Sequence, residues 1–280
     1  FNHSTPALFV ADLLKQALLL FVLGAPLALA ALWLMQSAGT LWWFYLWLLW
    51  SGFTLLMIWA YPAIIAPLFN KFTPLKNRSV QTRIQALLRR TGFRSRGIFV
   101  MDGSRRSAHG NAYFTGFGRN KRVVFFDTLL KTLRGPEIEA VLAHELGHFH
   151  HRHIIKRIVM LFGMSLAGLA LLGWLIQQPW FYQGLGVSTA SAHAALILFL
   201  MAGPVFTFLL QPLMAWGSRR HEYQADAYAA DQADIKPMIS ALVKLYRENA
   251  STLTPDPVYS AFYDSHPPAS LRIAHLQSLA

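Results

Sequence analysis

Two stretches of the chain carry no charged side chain: from Gln16 to Asn70, and again from Val159 to Ser218, there is no Asp, Glu, Lys or Arg. About 20 apolar residues cross the hydrocarbon core of a bilayer, so each run is long enough for two helical spans. Polar breaks at Gln36–Thr40 and Gln177–Ser191 divide them into spans near 16–35, 41–62, 156–176 and 193–216. Each is longer than a core helix of a soluble domain needs to be, which disfavours two apolar hairpins buried in a soluble enzyme. Between the runs the pattern changes. Val80, Ile84, Leu87 and Leu88 form one apolar stripe of a helix that Thr91-Gly92 ends. Gly97–Met101 reads as a short strand, and Asn111–Phe117 with Lys121–Phe126 as a hairpin around Gly118-Arg119-Asn120. Asp127 is placed to cap a short helix through Leu133. Gly135-Pro136-Glu137 opens a longer helix, with proline in its first turn and an acid at its positive end. That helix is expected to run on into the third span. Pro204 and Pro212 should kink the fourth span, and the tail reads as one or two helices with a turn at His266-Pro267-Pro268.

The fold class expected is therefore mainly α: a polytopic membrane protein with a small α+β soluble insertion. Residues 1–70 form a transmembrane hairpin and 71–134 the insertion. Residues 135–230 hold a helix of candidate chemistry, two spans and a second candidate helix, and 231–280 form a helical tail. Charge adds an orientation. The net charge is +12, yet of 25 Lys and Arg, 18 lie between Lys71 and Arg157 and six from Arg219 onward, with Lys15 the remaining one. The short turns between spans carry none. Basic residues held to one side of a bilayer mark the cytoplasmic face, so the charge points to an anionic membrane leaflet and not to nucleic acid. The expected setting is an integral membrane protein with its chemistry toward the cytoplasm. No cysteine is present, which excludes disulfides and thiolate metal ligands. The first residue is Phe1, with no basic segment before the first apolar run, and a fragment lacking upstream spans is expected.

The chemistry is concentrated in His144-Glu145-Leu146-Gly147-His148. Residues four apart share a helical face, so both imidazoles can reach one metal ion, while Glu145 lies one residue round, where a general base belongs. The apolar Val141-Leu142-Ala143 before it would half-bury such a site, which a pair of surface histidines would not need. Two imidazoles, a carboxylate base and an open coordination position suit one Zn²⁺ per chain. A third protein ligand is needed. His150, His151 and His153 are read as part of a cationic patch with Arg152, Lys156 and Arg157, and the position six residues beyond His148 is Ile154. Glu222, in Glu222-Tyr223-Gln224-Ala225-Asp226, is the better candidate; its ordinary alternative is a surface pair with Arg219. Asp226, one turn on, could accept a hydrogen bond from the far nitrogen of a ligand histidine and fix its tautomer.

Several stretches together resemble the Ste24-type CAAX prenyl protease family of integral-membrane zinc metalloproteases, in a bacterial-looking version. They are Leu68-Phe-Asn-Lys-Phe-Thr-Pro-Leu75, Ser107-Ala-His-Gly-Asn-Ala-Tyr-Phe-Thr-Gly116, Lys121-Arg-Val-Val-Phe-Phe-Asp-Thr-Leu-Leu130, the His-Glu helix, Ser218-Arg-Arg-His-Glu-Tyr-Gln-Ala-Asp226, and Ser265-His-Pro-Pro268 with Arg272. They cover about residues 60–280 in the family's order. The resemblance implies a helical barrel around an intramembrane chamber with zinc near its cytoplasmic end. It implies that His144, His148 and Glu222 bind zinc, that Glu145 is the base, and that His266 stabilises the oxyanion. It also implies that Asn111 and Ala112 lie on a strand that pairs with substrate backbone. On their residue types alone, Asn111 reads as a turn residue and His266 as a loop residue before proline. The partners implied are the lipid bilayer and a peptide or protein substrate, membrane-associated or prenylated. Two features depart from the family: four spans are visible where it shows seven, and Ala269-Ser270-Leu271 lacks the acidic residue expected before Arg272. The rivals are an HtpX-like membrane quality-control protease and a catalytically silent membrane scaffold. A site-2-type intramembrane protease would need an Asp motif on a later span, which is missing.

Overall fold

The computed structural model describes residues 2–115, 121–248, 252 and 254–279. The predicted turn Gly118-Arg119-Asn120 lies outside the described residues, as do Gly116 and Phe117. The chain divides into two compact units. One comprises Pro6–Ile58 and Ile155–Leu210; the other comprises Phe1–Thr5, Trp59–Ile154 and Gln211–Ala280.

Among the described residues, four helices are long and apolar enough to cross a membrane: Pro6–Ser37, Gly39–Phe69, His153–Leu175 and Ala192–Gln232. The first starts ten residues before the charge-free run, at Pro6, and so includes Asp12 and Lys15. Proline lacks an amide donor and fits the first turn of a helix, where none is needed. Prolines further along leave i→i−4 bonds unmade, and the ladder widens around them. The second span has a π-helical turn at Tyr61–Ile65 containing Pro62. The fourth passes through Pro204 into a 3₁₀ turn at Phe208–Leu210 before resuming at Gln211. In the first unit, Ala31, Met35, Trp42, Leu46, Leu172 and Ala195 share a small buried core. Gly173 belongs there because a Cβ would lie 2.8 Å from the Trp43 ring. Leu20, Phe21, Leu200, Met201, Val205 and Leu209 stand exposed, an outer surface suited to lipid and not to water.

The second unit holds the soluble insertion. The stripe Val80, Ile84, Leu87 and Leu88 is buried on helix Arg78–Arg90, which ends where Gly92 adopts φ +68°. That left-handed conformation suits glycine after a helix C-terminus. The sheet has four strands in the order β1-β2-β4-β3: β1 Phe72–Pro74, β2 Ile98–Met101, β3 Ala112–Thr115 and β4 Arg122–Phe126. β2 and β4 are parallel, and the two outer pairs are antiparallel. Strand β1 was not expected; Thr73-Pro74 is a poor strand sequence, tolerable because β1 is an edge. Asp127 does not cap the helix Asp127–Thr132. Its Oδ1 accepts from the Ser104 amide at 2.8 Å and its Oδ2 from the Ser104 hydroxyl, tying that helix to the loop after β2.

The motif helix runs Gly135–His150. Its start is anchored by Glu137, which accepts from the Arg134 amide, the Ser240 hydroxyl and the Lys244 ammonium, each at 2.7 Å. The helix does not continue into the third span. It stops at His150; Arg152 takes φ 56°, and a new helix begins at His153. The tail forms three helices, Ile235–Glu248, Pro257–Tyr263 and Ala269–Ser278, one more than the sequence pattern indicates.

Candidate metal centre

Gly147 decides how close the two halves of the motif can come. A Cβ built on it would lie 2.8 Å from the Ala225 Cα and 3.0 Å from the Ala225 carbonyl oxygen, so only a glycine admits this approach. Ala225 lies three residues beyond Glu222, and the contact brings Glu222 up to the histidine pair. His144 Nε2 is 3.5 Å from Glu222 Oε2, and His148 Nε2 is 3.4 Å from Glu222 Oε1. The two imidazole Nε2 atoms are 3.1 Å apart. One donor atom from each of His144, His148 and Glu222 lies within 4.8 Å of the others, the one such group of three among the described residues. Arg219, the alternative partner for Glu222, instead donates to the carbonyls of Ser260, Ala261 and Asp264.

The far sides of the imidazoles are held as well. His144 Nδ1 lies 2.8 Å from Asp226 Oδ1. A carboxylate only accepts, so Nδ1 carries a proton, which leaves Nε2 as the atom that can serve a metal. Asp226 is itself fully buried and gripped by Arg272, Nε to Oδ2 at 2.8 Å and Nη2 to Oδ1 at 2.6 Å. Arg272 Nη1 also lies 3.5 Å from Glu222 Oε2. The fork thus neutralises two buried acids at once. Sequence alone assigned Arg272 no role, because its partners lie some fifty residues upstream.

The residues fit a zinc ion. Two nitrogen donors and one oxygen donor converge without a thiol, and buried Glu222 Oε2 makes no hydrogen bond among the described residues. The potential there is negative. Burial disfavours charge on His144, yet Asp226 and Glu222 outweigh it and lift that imidazole to about 9. A proton and a divalent cation answer the same field. Glu145 is half-buried beside this group and makes no hydrogen bond among the described residues. Burial raises its carboxyl above the usual range, with His144 and His148 opposing the shift.

Two further sequence candidates lie at the rim. His266 is exposed, with its Nε2 3.4 Å from Glu222 Oε1 and its Nδ1 2.9 Å from the Ser265 hydroxyl. Asn111 immediately precedes β3, an outer strand of the sheet. The Phe126 amide donates to the Asn111 carbonyl at 2.9 Å, so the antiparallel alternation turns the N–H and C=O of Ala112 to the open edge. There the Ala112 amide donates to Asn111 Oδ1 at 2.8 Å. Ala112 packs in the same core as Ala143 and Leu146 of the motif helix. Of the three extra histidines, His150 stacks on Tyr228 with ring centroids 4.8 Å apart. His153, read from sequence as surface, is 3 % exposed and contacts His148.

A profile described as peptidase family M48 matches residues 74–280. The chain belongs to peptidase family M48. A second profile, the CAAX prenyl protease N-terminal region with five membrane helices, matches residues 1–71. Among curated relatives, a CAAX prenyl protease 1 homolog of Arabidopsis thaliana is 38% identical over 98% of this chain and 65% of its own length. CAAX prenyl protease 1 of Saccharomyces cerevisiae is 35% identical over 99% of this chain and 64% of its own length. The crystal structure of S. mikatae Ste24p is similar with a TM-score of 0.91 and 34% identity, covering 99% of this chain and 68% of that one. The M48 chain thus spans about two thirds of the length of these relatives. With its apolar helices and its match to a membrane-helix region, it is an integral membrane protein.

Proposed function

We propose that this M48 chain carries the catalytic part of a membrane-embedded, zinc-dependent endopeptidase of the Ste24 CAAX-protease type. The observation that carries the reading is the convergence of His144, His148 and Glu222, with the Glu145 carboxylate beside them. These three residues would hold one zinc per chain, which when bound acts as a Lewis acid toward water and a peptide carbonyl. Glu145 takes the proton from the attacking water and passes it to the leaving amine, so that the amide C–N bond breaks as a C–O bond forms. Asp226, locked by Arg272, keeps His144 in the tautomer that presents Nε2. Ala112 offers its C=O on an open strand edge to an extended substrate, and its N–H once the substrate displaces Asn111 Oδ1. His266 donates from Nε2 to the carbonyl oxygen as negative charge develops there, its Nδ1 accepting from Ser265. The printed names of the relatives make a prenylated C-terminal peptide the first substrate to try.

The test uses the full-length protein in lipid vesicles, with prenylated and unprenylated peptides read by mass spectrometry. Cleavage at an internal bond, lost with a zinc chelator and restored by Zn²⁺, is expected. Chelator-insensitive cleavage, or none of either peptide, would overturn the reading. An HtpX-like protease predicts no preference for prenylation. A silent scaffold predicts no cleavage at all.

Two narrower predictions follow from this arrangement. His266→Ala should lower kcat by roughly 10²–10³ while KM and zinc content hold, because an oxyanion donor acts mainly in the transition state. A fall in zinc content would make it a ligand, and a normal kcat would remove it from the reaction. For orientation, the proposal puts the metal centre at the cytoplasmic face of a bacterial inner membrane. Single cysteines at Ser37 and Ser188 should then label from outside, and those at Ser79 and Ser278 only from the cytoplasm. The chain has no native cysteine to confuse the readout. The reverse pattern would invert the assignment.

A further inference from the structure

Among the described residues, no acid faces the Nδ1 side of His148 as Asp226 faces that of His144. His148 Nδ1 instead lies 2.9 Å from His153 Nδ1, and His153 Nε2 lies 2.9 Å from Gln224 Oε1. The protons along this chain follow from the centre outward. If His148 presents the Nε2 lone pair to a metal, its Nδ1 carries the proton and donates. His153 Nδ1 must then accept, which places its own proton on Nε2, pointed at an amide oxygen that accepts. Each link requires the next.

The backbone is shaped to make this contact. In an unbroken helix, residues five apart point about 140° away from each other, so His153 could not meet His148. The break after His150, with Arg152 at φ 56°, folds His153 back. A left-handed non-glycine residue is uncommon and costly, and is kept only where the surroundings demand it. His153 is then sealed at 3 % exposure, its ring stacked 3.9 Å from that of His221. The helix that supplies Glu222 also supplies Asp226, the partner of His144, and Gln224, the partner of His153.

We propose that His153, backed by Gln224, is the positioning residue that fixes the tautomer and orientation of His148 for metal binding. This rests on His148 being a ligand. The test is zinc affinity, measured by chelator competition on the full chain in lipid, in the absence of substrate. His153→Phe keeps the ring stack but removes the acceptor, and zinc should bind about 10–100-fold more weakly, the usual cost of losing an outer partner of a ligand. His153→Asn puts Oδ1 where Nδ1 was and should recover most of that loss. Were packing the whole role of His153, Phe would bind as wild type and Asn would not, and the proposal would fall. Equal weakening by Asn and Phe would also overturn it. If the Phe variant does not fold, Gln224→Met serves instead: weaker zinc binding supports the relay, unchanged binding rejects it. Failure of the parent reading looks different, since His148→Ala would then bind zinc like wild type.

Discussion

Glu145→Gln is expected to hold zinc at wild-type occupancy and to lose at least about 10²–10⁴ in turnover, the contribution of a general base. The substitution keeps the size of the side chain and removes only its ability to take a proton. The setting makes that ability matter. The carboxylate is half-buried, makes no hydrogen bond among the described residues, and is lifted above the usual range chiefly by burial. A carboxyl raised by burial holds a proton more readily than one in water. The measurements are single-turnover cleavage and elemental analysis on the same preparation. Wild-type turnover in the variant would remove Glu145 from the mechanism. Loss of zinc along with turnover would recast it as part of the metal site.

His148→Ala should do the opposite: it should abolish cleavage by emptying the centre. With one imidazole gone, His144 and Glu222 remain, too few donors for a three-residue zinc site. The loss of affinity should exceed the roughly 10–100-fold that removal of an outer partner costs. The position is only partly shielded, with 20 % of the side chain exposed, so the fold should survive the change. Zinc content by elemental analysis decides it: full occupancy in the folded variant would mean that the ion sits elsewhere.

The parts of this molecule that sequence could state are those written in local periodicity. The two charge-free runs became four helices of membrane-crossing length, and the stripe on Arg78–Arg90 became a buried face. Hydrophobic pattern reports which side of an element avoids water, and needs no knowledge of the partner. The His144–His148 spacing is of the same kind, since one helix alone aligns them. What no local pattern contains is pairing across distance. Edge strand β1 and the order β1-β2-β4-β3 depend on which strand finds which. The third tail helix and the Asp127–Ser104 contact likewise arise from packing.

The same division runs through the candidate site. Glu222 and Asp226 were legible because the histidine helix needs a further ligand and a tautomer partner, and few acids are present to supply them. Arg272 was not, because its grip on Asp226 spans 46 positions and exists only once the last helix has docked. His153 was misread for a different reason. Continued as a helix, the sequence points it away from His148 into a cationic face. Only the left-handed turn at Arg152 reverses it, a conformation that a residue other than glycine rarely adopts. Sequence by itself determined which helices form and which side chains could share a face. Tertiary structure decided which faces meet, because the energy that selects those meetings comes from burial and charge pairing between segments far apart in the chain.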